Sequence, residues 1–556
     1  MDGTDAHEFN DHLMRSYELR EKLVSDPLRP TYHFLPPEGR WNDINGAVYW
    51  NGRYHIGYLQ KISHDPEKVE ADPRTGRVWD FSSWQHVSSR DLLHWRYHKA
   101  SIREDFPGYK GAYFNSGDVM DFMDIPTIIV NDPRRGICIY QSHDDNLDEW
   151  VPLPENPVIP IETENDSNTL MHGSRGWNKN FPEVVIFDPS GWKEGDTYYA
   201  LIGNKNFRPG FEGDTVSLFK SADLKDWQYV GPFYKSDRKW TSEEEDCACS
   251  NFFPFGEKHM MVMHTHKPFA KSQYYIGTYK DEQFYPEIHG QLSWFGSLLA
   301  GPETLLDDNG RRIYWGWLAD ARSIPQTFKG PRENSAYPEG WETIGWSSVM
   351  TLPRHFDIGP NNTLLIKPVE ELKNLRYDHR DCGNITLDTG QEQIIDGIFS
   401  DCMEINLSFK ANNSSAFGVK LLHSDVSGEE TIVTYDRSQS AFIIDFSKAS
   451  LNENLNYRES PINTTNASVN TGASGPWKHG YRKQFIPYQL PEDSDLSMEI
   501  FIDKSILEIF VNSEICLTQR IYPTHVDSKH FSLFTNDAPV EVENIHKWEI
   551  DATNPW

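Results

Sequence analysis

Residues 46–60 read GAVYWNGRYHIGYLQ, two aromatic and β-branched runs separated by Asn and Gly. The same texture returns in four later segments: PTIIVNDPRRGICIYQS (126–142), DTYYALIGNK (196–205), HMMVMHTH (259–266) and RRIYWGWLA (311–319). Units of strand, turn and strand at a spacing of roughly ten residues predict an all-β sandwich, barrel or propeller.

A short internal repeat favours the propeller. The segment SRDLLHW (89–95) recurs as SADLKDW (221–227), and NLDEW (146–150) is a shorter, partial copy of the same motif. A turn motif that returns at intervals is typical of blades that are each a small antiparallel sheet.

The composition and the hydrophobic pattern of the sequence change after Pro368. Dense Trp and Gly give way to longer alternating strands such as LSMEIFIDKSILEIFVN (496–512). Alternation with a period of two over this length predicts a β-sandwich.

Near the other end, apolar residues in 11–25 share one helical face and Pro27 follows, which predicts a short N-terminal helix. We therefore predict three parts: a helical extension over residues 1–30, a catalytic propeller over 31–368 and a sandwich over 369–556.

Composition excludes several classes of protein. The 53 basic and 83 acidic residues give a formal net charge of -30, which repels nucleic acid and anionic membranes. No stretch approaches the ~18 apolar residues that a membrane-spanning helix needs. Six cysteines in 556 residues are too few for a disulfide framework.

The N-terminal sequence carries no signal-peptide pattern, so we expect a cytoplasmic protein, or a secreted one if the chain was trimmed. Eight N-x-S/T sequons matter only in the secreted case.

Three acidic segments are candidates for chemistry. Asp43 lies in RWNDING (40–46), Asp188 opens a loop before a strand, and Glu245-Asp246 end a run of four acids that leads straight into a buried-looking strand. The first two also fit ordinary turns, and a run of acids is usually a solvated face. If these carboxylates converge, they suit the hydrolysis of a glycosidic bond, which needs one ionised and one protonated carboxyl.

Six segments together resemble glycoside hydrolase family 32, the β-fructofuranosidases, across about residues 32–550. The matches to family motifs are HFLPPEGRWNDING (33–46) to WMNDPNG, WQHVSSRDLLHW (84–95) to WGHAVSxDLxHW, FNSGD (114–118) to FSGSA, GPE (301–303) through RIYWGW (312–317) to GRRIxWGW, GWSSVMTLPR (345–354) to GWxxxLSLPR, and FIDKSILEIFVN (501–512) to VDxSxxExFxN. The resemblance implies a five-bladed β-propeller followed by a C-terminal β-sandwich.

The resemblance also implies roles for single residues. Asp43 matches the nucleophile that forms a covalent fructosyl–enzyme, and Asp188 matches the Asp of RDP, which stabilises the transition state. Phe187 replaces the Arg of that motif, and Ile44 replaces the Pro of WMNDPNG. The residues expected to line the sugar site are Trp41, Asn42, Gln60, Trp84, Phe114 and Ser116.

The third motif departs most from the family. CSNFF (249–253) aligns with CPDFF of the ECPDFF motif, and this places Ala248 where the general acid Glu belongs. Two interpretations follow. Either the acid is lost, or the chain belongs to a subgroup that uses an acid a few residues earlier, with Glu245 as first choice and Asp246 as second. Asp246 shares strand parity with position 248.

We therefore expect a retaining β-fructofuranosidase that hydrolyses or transfers terminal fructosyl units of sucrose, fructo-oligosaccharides or fructans. It would need no metal or cofactor, and it could form a homodimer through the sandwich. The rivals are a non-catalytic fructoside-binding protein and a propeller enzyme that acts on another furanoside such as arabinofuranose.

Overall fold

The computed structural model describes residues 23–37, 39–61, 82–102, 114–132, 135–161, 176–178, 180–203, 214–242, 245–265, 271–322, 346–452, 455, 457 and 482–554. Most of the predicted helix over 11–25 lies outside these ranges, although residues 23–24 are helical. Within the described residues, no helix is long and apolar enough to cross a membrane.

Within the described residues, the first 25 strands form five blade sheets and one two-stranded sheet, and all pairings are antiparallel except that between β1 and β22. Blade 1 contains β1 Gly39–Trp50, β2 Arg53–Lys61, β3 Ser82–Ser89 and β4 Trp95–Tyr97. Blade 2 contains β5 Gly117–Val119, β6 Thr127–Asp132, β7 Gly136–Gln141, β8 Val151–Pro152 and β9 Ile159–Pro160. The two-stranded sheet is β10 Gly176–Asn178 and β11 Phe181–Ile186. Blade 3 contains β12 Pro189–Glu194, β13 Thr197–Ile202, β14 Val216–Ser221 and β15 Gln228–Tyr234. Blade 4 contains β16 Ala248–Phe255, β17 Lys258–Thr265, β18 Lys271–Lys280 and β19 Gln283–Gln291. The strands that follow are β20 Leu299–Leu306, β21 Arg312–Leu318, β22 Trp346–Ser347, β23 Val349–Met350, β24 Arg354–Ile358 and β25 Leu364–Pro368, which form blade 5 except that β22 joins blade 1 beside β1.

The five first strands close a ring. Strand β1 contacts β5, β5 contacts β12, β12 contacts β16, β16 contacts β20, and β20 contacts β1 again. Each blade therefore presents its first strand to a common central channel, as the predicted five-bladed propeller requires.

The sequence repeat marks the same turn in three blades. Leu92, Leu147 and Leu224 all have positive φ angles between 56 and 66°. Each lies between the third and fourth strands of its sheet. The predicted link between this repeat and the blades is confirmed.

The C-terminal part is a sandwich of two six-stranded sheets. The 3₁₀ helices Pro360–Asn362 and Glu370–Leu375 come before and after β25. The sandwich strands are β26 Arg376–Leu387, β27 Glu392–Phe399, β28 Cys402–Phe409, β29 Ala416–His423, β30 Glu430–Asp436, β31 Ala441–Lys448, β32 Lys483–Pro487, β33 Leu496–Asp503, β34 Ile506–Val511, β35 Ile515–Arg520, β36 His530–Thr535 and β37 Val540–Ile550. The inward sides of these strands are buried alternately, which confirms the sandwich that the period of two predicted.

Buried charges join the sandwich to the propeller. Glu508 on β34 accepts hydrogen bonds from the Arg354 guanidinium at 2.9 Å and from the peptide N–H of Leu352 at 2.9 Å. Asp503 lies 2.9 Å from Nδ1 of His33, and the other ring nitrogen of His33 lies 3.3 Å from Glu508. The sandwich motif VDxSxxExFxN therefore holds two propeller motifs in place.

Replacing Glu508→Gln should lower the free energy of unfolding by about 3 to 5 kcal/mol, because it leaves Arg354 buried without its charge partner. Denaturant unfolding measures this loss. The matched control is Asp357→Asn, which breaks the exposed ion pair with Lys367 and should cost less than about 1 kcal/mol. Equal losses in the two variants would contradict the structural role of Glu508.

The same cluster predicts a pH dependence of stability. Burial alone would lower the pKa of His33, but its contacts with Asp503 and Glu508 raise it. Burial alone would raise the pKa of both carboxyls, but His33 lowers that of Asp503, and Arg354 with His33 lowers that of Glu508. Stability from His33 is complete below about 6.5, its unfolded pKa, and is lost as the pH rises through the folded pKa. Stability from the carboxyls is complete above about 4.3 and is lost as the pH falls through their folded pKa values.

We therefore expect the stability difference between the wild type and Asp503→Asn to be largest between about pH 4.3 and 6.5. Unfolding midpoints of both proteins from pH 3 to 9 measure this difference. A difference that stays constant over that range would exclude the proposed linkage.

Candidate active site

The predicted nucleophile lies on the innermost strand of blade 1. The Ser116 hydroxyl, just before β5, donates a hydrogen bond to Oδ2 of Asp43 at 2.7 Å. The side chain of Asn45 donates to the Asp43 carbonyl at 2.7 Å and accepts from the peptide N–H of Gly117 at 3.2 Å. Asp43 is thus held between blades 1 and 2, and it is only partly buried.

Blade 5 approaches Asp43 from the other side. Gly301 on β20 has a φ of 54°, and a Cβ atom built on it would lie 3.1 Å from Oδ1 of Asp43. A larger residue there would be strained in its backbone and would press on the carboxylate. Glycine at this position therefore keeps room around Asp43.

Asp188 comes from blade 3 and meets a thiol from blade 4. Asp188 is buried, and the Cys249 thiol lies 3.6 Å from its Oδ2. Both residues have positive φ angles, 34° for Asp188 and 48° for Cys249, which non-glycine residues adopt rarely and often at functional sites. Burial, followed by the charges of Asp188, Asp43 and Glu303, raises the pKa of the Cys249 thiol. The thiol is therefore neutral, and it lies within electrostatic reach of these three carboxyls.

A pair of buried carboxyls lies on β5 and β20, the innermost strands of blades 2 and 5. Asp118 lies on β5, and Glu303 lies on β20 directly after the bulge that contains Gly301. The two side chains share a hydrogen bond, and burial raises the pKa of both well above the usual range. Each of these carboxyls is therefore protonated more readily than an exposed one.

The first-choice acid, Glu245, is buried in an ion pair. Lys271 donates to its Oε1 at 3.0 Å, and the peptide N–H of Ser242 donates to the same oxygen at 3.2 Å. The Gln273 amide donates to Oε2 at 3.4 Å. These groups are all donors, which suits an ionised carboxylate that accepts and not a carboxylic acid that donates.

The second choice, Asp246, has a different environment. It is buried, and its Oδ1 accepts a hydrogen bond from the Thr265 hydroxyl at 3.0 Å. Burial, followed by the charges of Asp214, Asp246 and Asp188, raises the pKa of the Cys247 thiol. The Cys247 thiol therefore lies within electrostatic reach of Asp246, Asp188 and Asp214.

Ala248 begins β16 and is fully buried. A Cβ atom built on Gly203 would lie 3.4 Å from its Cα, so the end of blade 3 packs tightly against this position. The structure places no carboxyl at position 248 itself.

Three of the six residues expected to line the sugar site are fully buried in apolar packing within and beside blade 1: Trp41, Trp84 and Phe114. The Trp84 indole N–H donates to the carbonyl of Asn115 at 3.1 Å, and so braces the segment that carries Ser116. Gln60 pairs with Trp41 across β1 and β2. The side chain of Asn42 lies outside the described part of the chain, and sugar contact remains a prediction for all six residues.

Sequence reasoning gave no role to Cys249 or to the Asp118–Glu303 pair. Asp118 ends the segment matched to FSGSA, a motif with no acid, and this mismatch was the available signal. The direction of the Cys249 side chain depends on a local register shift between Ala248 and Asn251, which residue types alone do not reveal.

Carboxyls on and beside the innermost strands of a propeller could supply the two acidic groups that hydrolysis of a glycosidic bond requires, which suggests a glycoside hydrolase. Two family profiles agree with this class. Glycosyl hydrolases family 32 N-terminal domain matches residues 33–368, and Glycosyl hydrolases family 32 C terminal matches residues 371–549. The chain therefore belongs to glycosyl hydrolase family 32.

Similar proteins span nearly the whole chain. A sucrose-6-phosphate hydrolase of Zymomonas mobilis is 24% identical, and the match covers 96% of this chain and 94% of that protein. The crystal structure of fructan 1-exohydrolase IIa from Cichorium intybus has a TM-score of 0.70 at 19% identity, covering 95% of this chain and 98% of that chain. A variant of the Bombyx mori β-fructofuranosidase, solved in complex with sucrose, has a TM-score of 0.65 at 20% identity, with full coverage of both chains. These two structures are similar to this chain in fold.

Proposed function

We propose that this protein is a retaining β-fructofuranosidase that acts on terminal β-D-fructofuranosyl units of sucrose, fructo-oligosaccharides or fructans. The observation that carries the proposal is the Asp43 carboxylate, oriented by Ser116 and flanked by Gly301 in the central channel. The relatives named above act on fructosides according to their names, and this supports the substrate class.

In the proposed reaction, Asp43 attacks C2 of the fructosyl unit while the bond to the leaving oxygen breaks. The product is an ester between Asp43 and fructose, which water or a second sugar then cleaves. The hydrogen bond from Ser116 fixes the carboxylate rotamer, so the attacking oxygen is positioned before substrate binds. Asp188 would stabilise the positive charge that develops on the sugar ring.

We infer that Asp246 gives the proton to the leaving oxygen. Three donors, one of them an ammonium, already surround Glu245, so a protonated Glu245 would meet no acceptor among these contacts. Asp246 accepts from a hydroxyl at Oδ1, an arrangement that does not require a charged carboxylate.

The substrate is tested by incubating the protein with sucrose, inulin and levan and resolving the products by chromatography. We expect free fructose from at least one of the three, and longer oligosaccharides where transfer competes with hydrolysis. An arabinofuranoside that is cleaved faster than all three would overturn the proposed substrate class.

A second candidate function rests on Ala248. A buried methyl group stands where the family's acid belongs, and a protein without an acid could bind fructosides without cleaving them. This candidate predicts saturable sucrose binding without turnover by the wild type, and turnover restored by Ala248→Glu.

We also propose that two copies associate through the edge of the sandwich formed by β26 and β27. These strands end their respective sheets and lie side by side, and they expose Tyr377, Ile394 and Phe399. Exposed apolar side chains on neighbouring edge strands favour pairing with another chain. Sedimentation of the wild type and of Phe399→Ser would reveal such a dimer.

A further inference from the structure

The Asp118–Glu303 pair has no part in the reaction proposed above, although it is buried among the innermost strands of the propeller. Asp118 is 7% exposed and Glu303 is 2% exposed. Their side chains share a hydrogen bond. Two ionised carboxylates offer only acceptors, so this bond requires a proton on one of them. The protonated pair therefore joins β5 of blade 2 to β20 of blade 5.

Backbone contacts extend the pair to two more blades. The peptide N–H of Gly46 on β1 donates to the Glu303 carboxyl, and that of Gly191 on β12 donates to the Asp118 carboxyl. The peptide N–H of Thr304 also donates to Oε1 of Glu303, at 3.2 Å. The pair therefore connects the innermost strands of four of the five blades.

These strands approach one another closely at glycines. A Cβ atom built on Gly46 would lie 2.7 Å from the side chain of Val119, and one built on Gly191 would lie 2.9 Å from the side chain of Met120. Interiors packed this closely have low compressibility and transmit small displacements. A change in the bond between the two carboxyls should therefore move the strand segments that they connect.

Two of the connected segments carry the groups that hold Asp43. Ser116, whose hydroxyl donates to Oδ2 of Asp43 at 2.7 Å, stands two residues before Asp118. Asn45, whose side chain donates to the Asp43 carbonyl at 2.7 Å, directly precedes Gly46. The pair thus acts on the same short segments that fix the position of Asp43.

The third segment comes from blade 5. Gly301, where a Cβ atom would lie 3.1 Å from Oδ1 of Asp43, stands two residues before Glu303. We propose that Asp118 and Glu303 are positioning residues, whose hydrogen bond through one proton fixes the strand segments around Asp43. This proposal rests on the proposed function, in which Asp43 is the nucleophile.

The charges around the pair favour retention of the proton. Burial, followed by the charge of Asp121, raises the pKa of Asp118, and burial, followed by Asp118, raises the pKa of Glu303. Arg312 on β21 lies 2.9 Å from Asp121 in an ion pair, so this nearby cation is already engaged by a carboxylate. On β16, the Cys249 thiol lies within electrostatic reach of Glu303, and it is neutral.

The kinetic test compares two variants of Glu303 on a fructoside that the wild type cleaves. Glu303→Leu removes the bond and should lower kcat by about 10- to 100-fold, because a nucleophile displaced by about 1 Å reacts far more slowly. KM should change by less than about threefold, since the effect falls on the chemical step. Glu303→Gln should recover most of the loss, because its amide still donates to the Asp118 carboxylate.

Infrared spectroscopy tests the proton without any substrate. The C=O stretch of a protonated carboxyl is separate from the bands of ionised carboxylates. We expect this band to be stronger at neutral pH in the wild type than in the double variant Asp118→Asn, Glu303→Gln, which retains neither carboxyl of the pair.

The matched control is Glu282→Gln, the same acid to amide change in an ion pair with Lys220 at 2.9 Å in the outer part of the propeller. It should leave both kcat and the infrared band as in the wild type. Wild-type kcat in Glu303→Leu, an equal loss of kcat in Glu303→Gln, or equal bands in the wild type and the double variant would each overturn the proposal.

The two measurements also separate this proposal from the proposed function. Equal infrared bands overturn the positioning role whether or not a fructoside is cleaved, whereas a wild type that shows the band and cleaves no fructoside overturns the proposed function. Should Glu303→Leu fail to fold, Asp118→Leu removes the other end of the hydrogen bond and takes its place.

Discussion

Replacing Asp43→Asn should reduce turnover of a fructoside substrate by a factor on the order of 10⁴ or more. An amide oxygen cannot form the fructosyl ester, although it still accepts the hydrogen bond from Ser116 and fills the same volume. The unfolding midpoint should therefore stay close to that of the wild type. Initial rates of reducing-sugar release, measured beside a denaturation curve, give both quantities.

The matched control for this experiment is Asp223→Asn, an acid to amide change in an exposed surface turn of blade 3. It should leave the rate unchanged within about twofold, because Asp223 lies in the turn between the two outer strands of blade 3, where its Oδ1 accepts peptide N–H groups of Lys225 and Asp226 that an amide oxygen can still accept. Near-wild-type activity of a folded Asp43→Asn protein would exclude Asp43 as the nucleophile.

Asp246→Asn should slow cleavage of sucrose by about 10² to 10⁴, because an alkoxide leaving group needs a proton. An aryl β-fructofuranoside with an acidic phenol needs little protonation, so the variant should retain far more of its rate on that substrate. The high-pH limb of the rate profile should also disappear for the aryl substrate. Steady-state kinetics on the two substrates measure this contrast.

Glu245→Gln provides the comparison. If this variant shows the contrast between the two substrates and Asp246→Asn does not, Glu245 is the acid and our assignment is wrong. If both variants cleave sucrose normally, neither residue is the acid.

The fold could be predicted because its signals are local. Each blade carries its own strand–turn–strand texture, and the turn at Leu92, Leu147 and Leu224 repeats because three blades need the same backbone conformation there. The sandwich follows from alternation in segments such as 496–512. Periodicity of this kind is visible without knowledge of long-range contacts.

The site was only partly predictable because its contacts are long-range. The segment 40–46 marks Asp43, but residue types could not show that Lys271 engages Glu245 across 26 residues. The same limit applies to the hydrogen bond between Asp118 and Glu303, which come from blades 2 and 5. Closure of the propeller brings these groups together, and the sequence of one segment does not show which distant segments it will contact.

The most direct test of the central claim, covalent catalysis without a Glu at position 248, is fructosyl transfer to methanol. The wild-type protein is incubated with sucrose in dilute methanol, and the products are identified by ¹³C NMR. A double displacement at Asp43 predicts glucose together with methyl β-D-fructofuranoside, in which the configuration at C2 is retained. The α-anomer, or no glucose above the enzyme-free control while Ala248→Glu restores its release, would contradict the account.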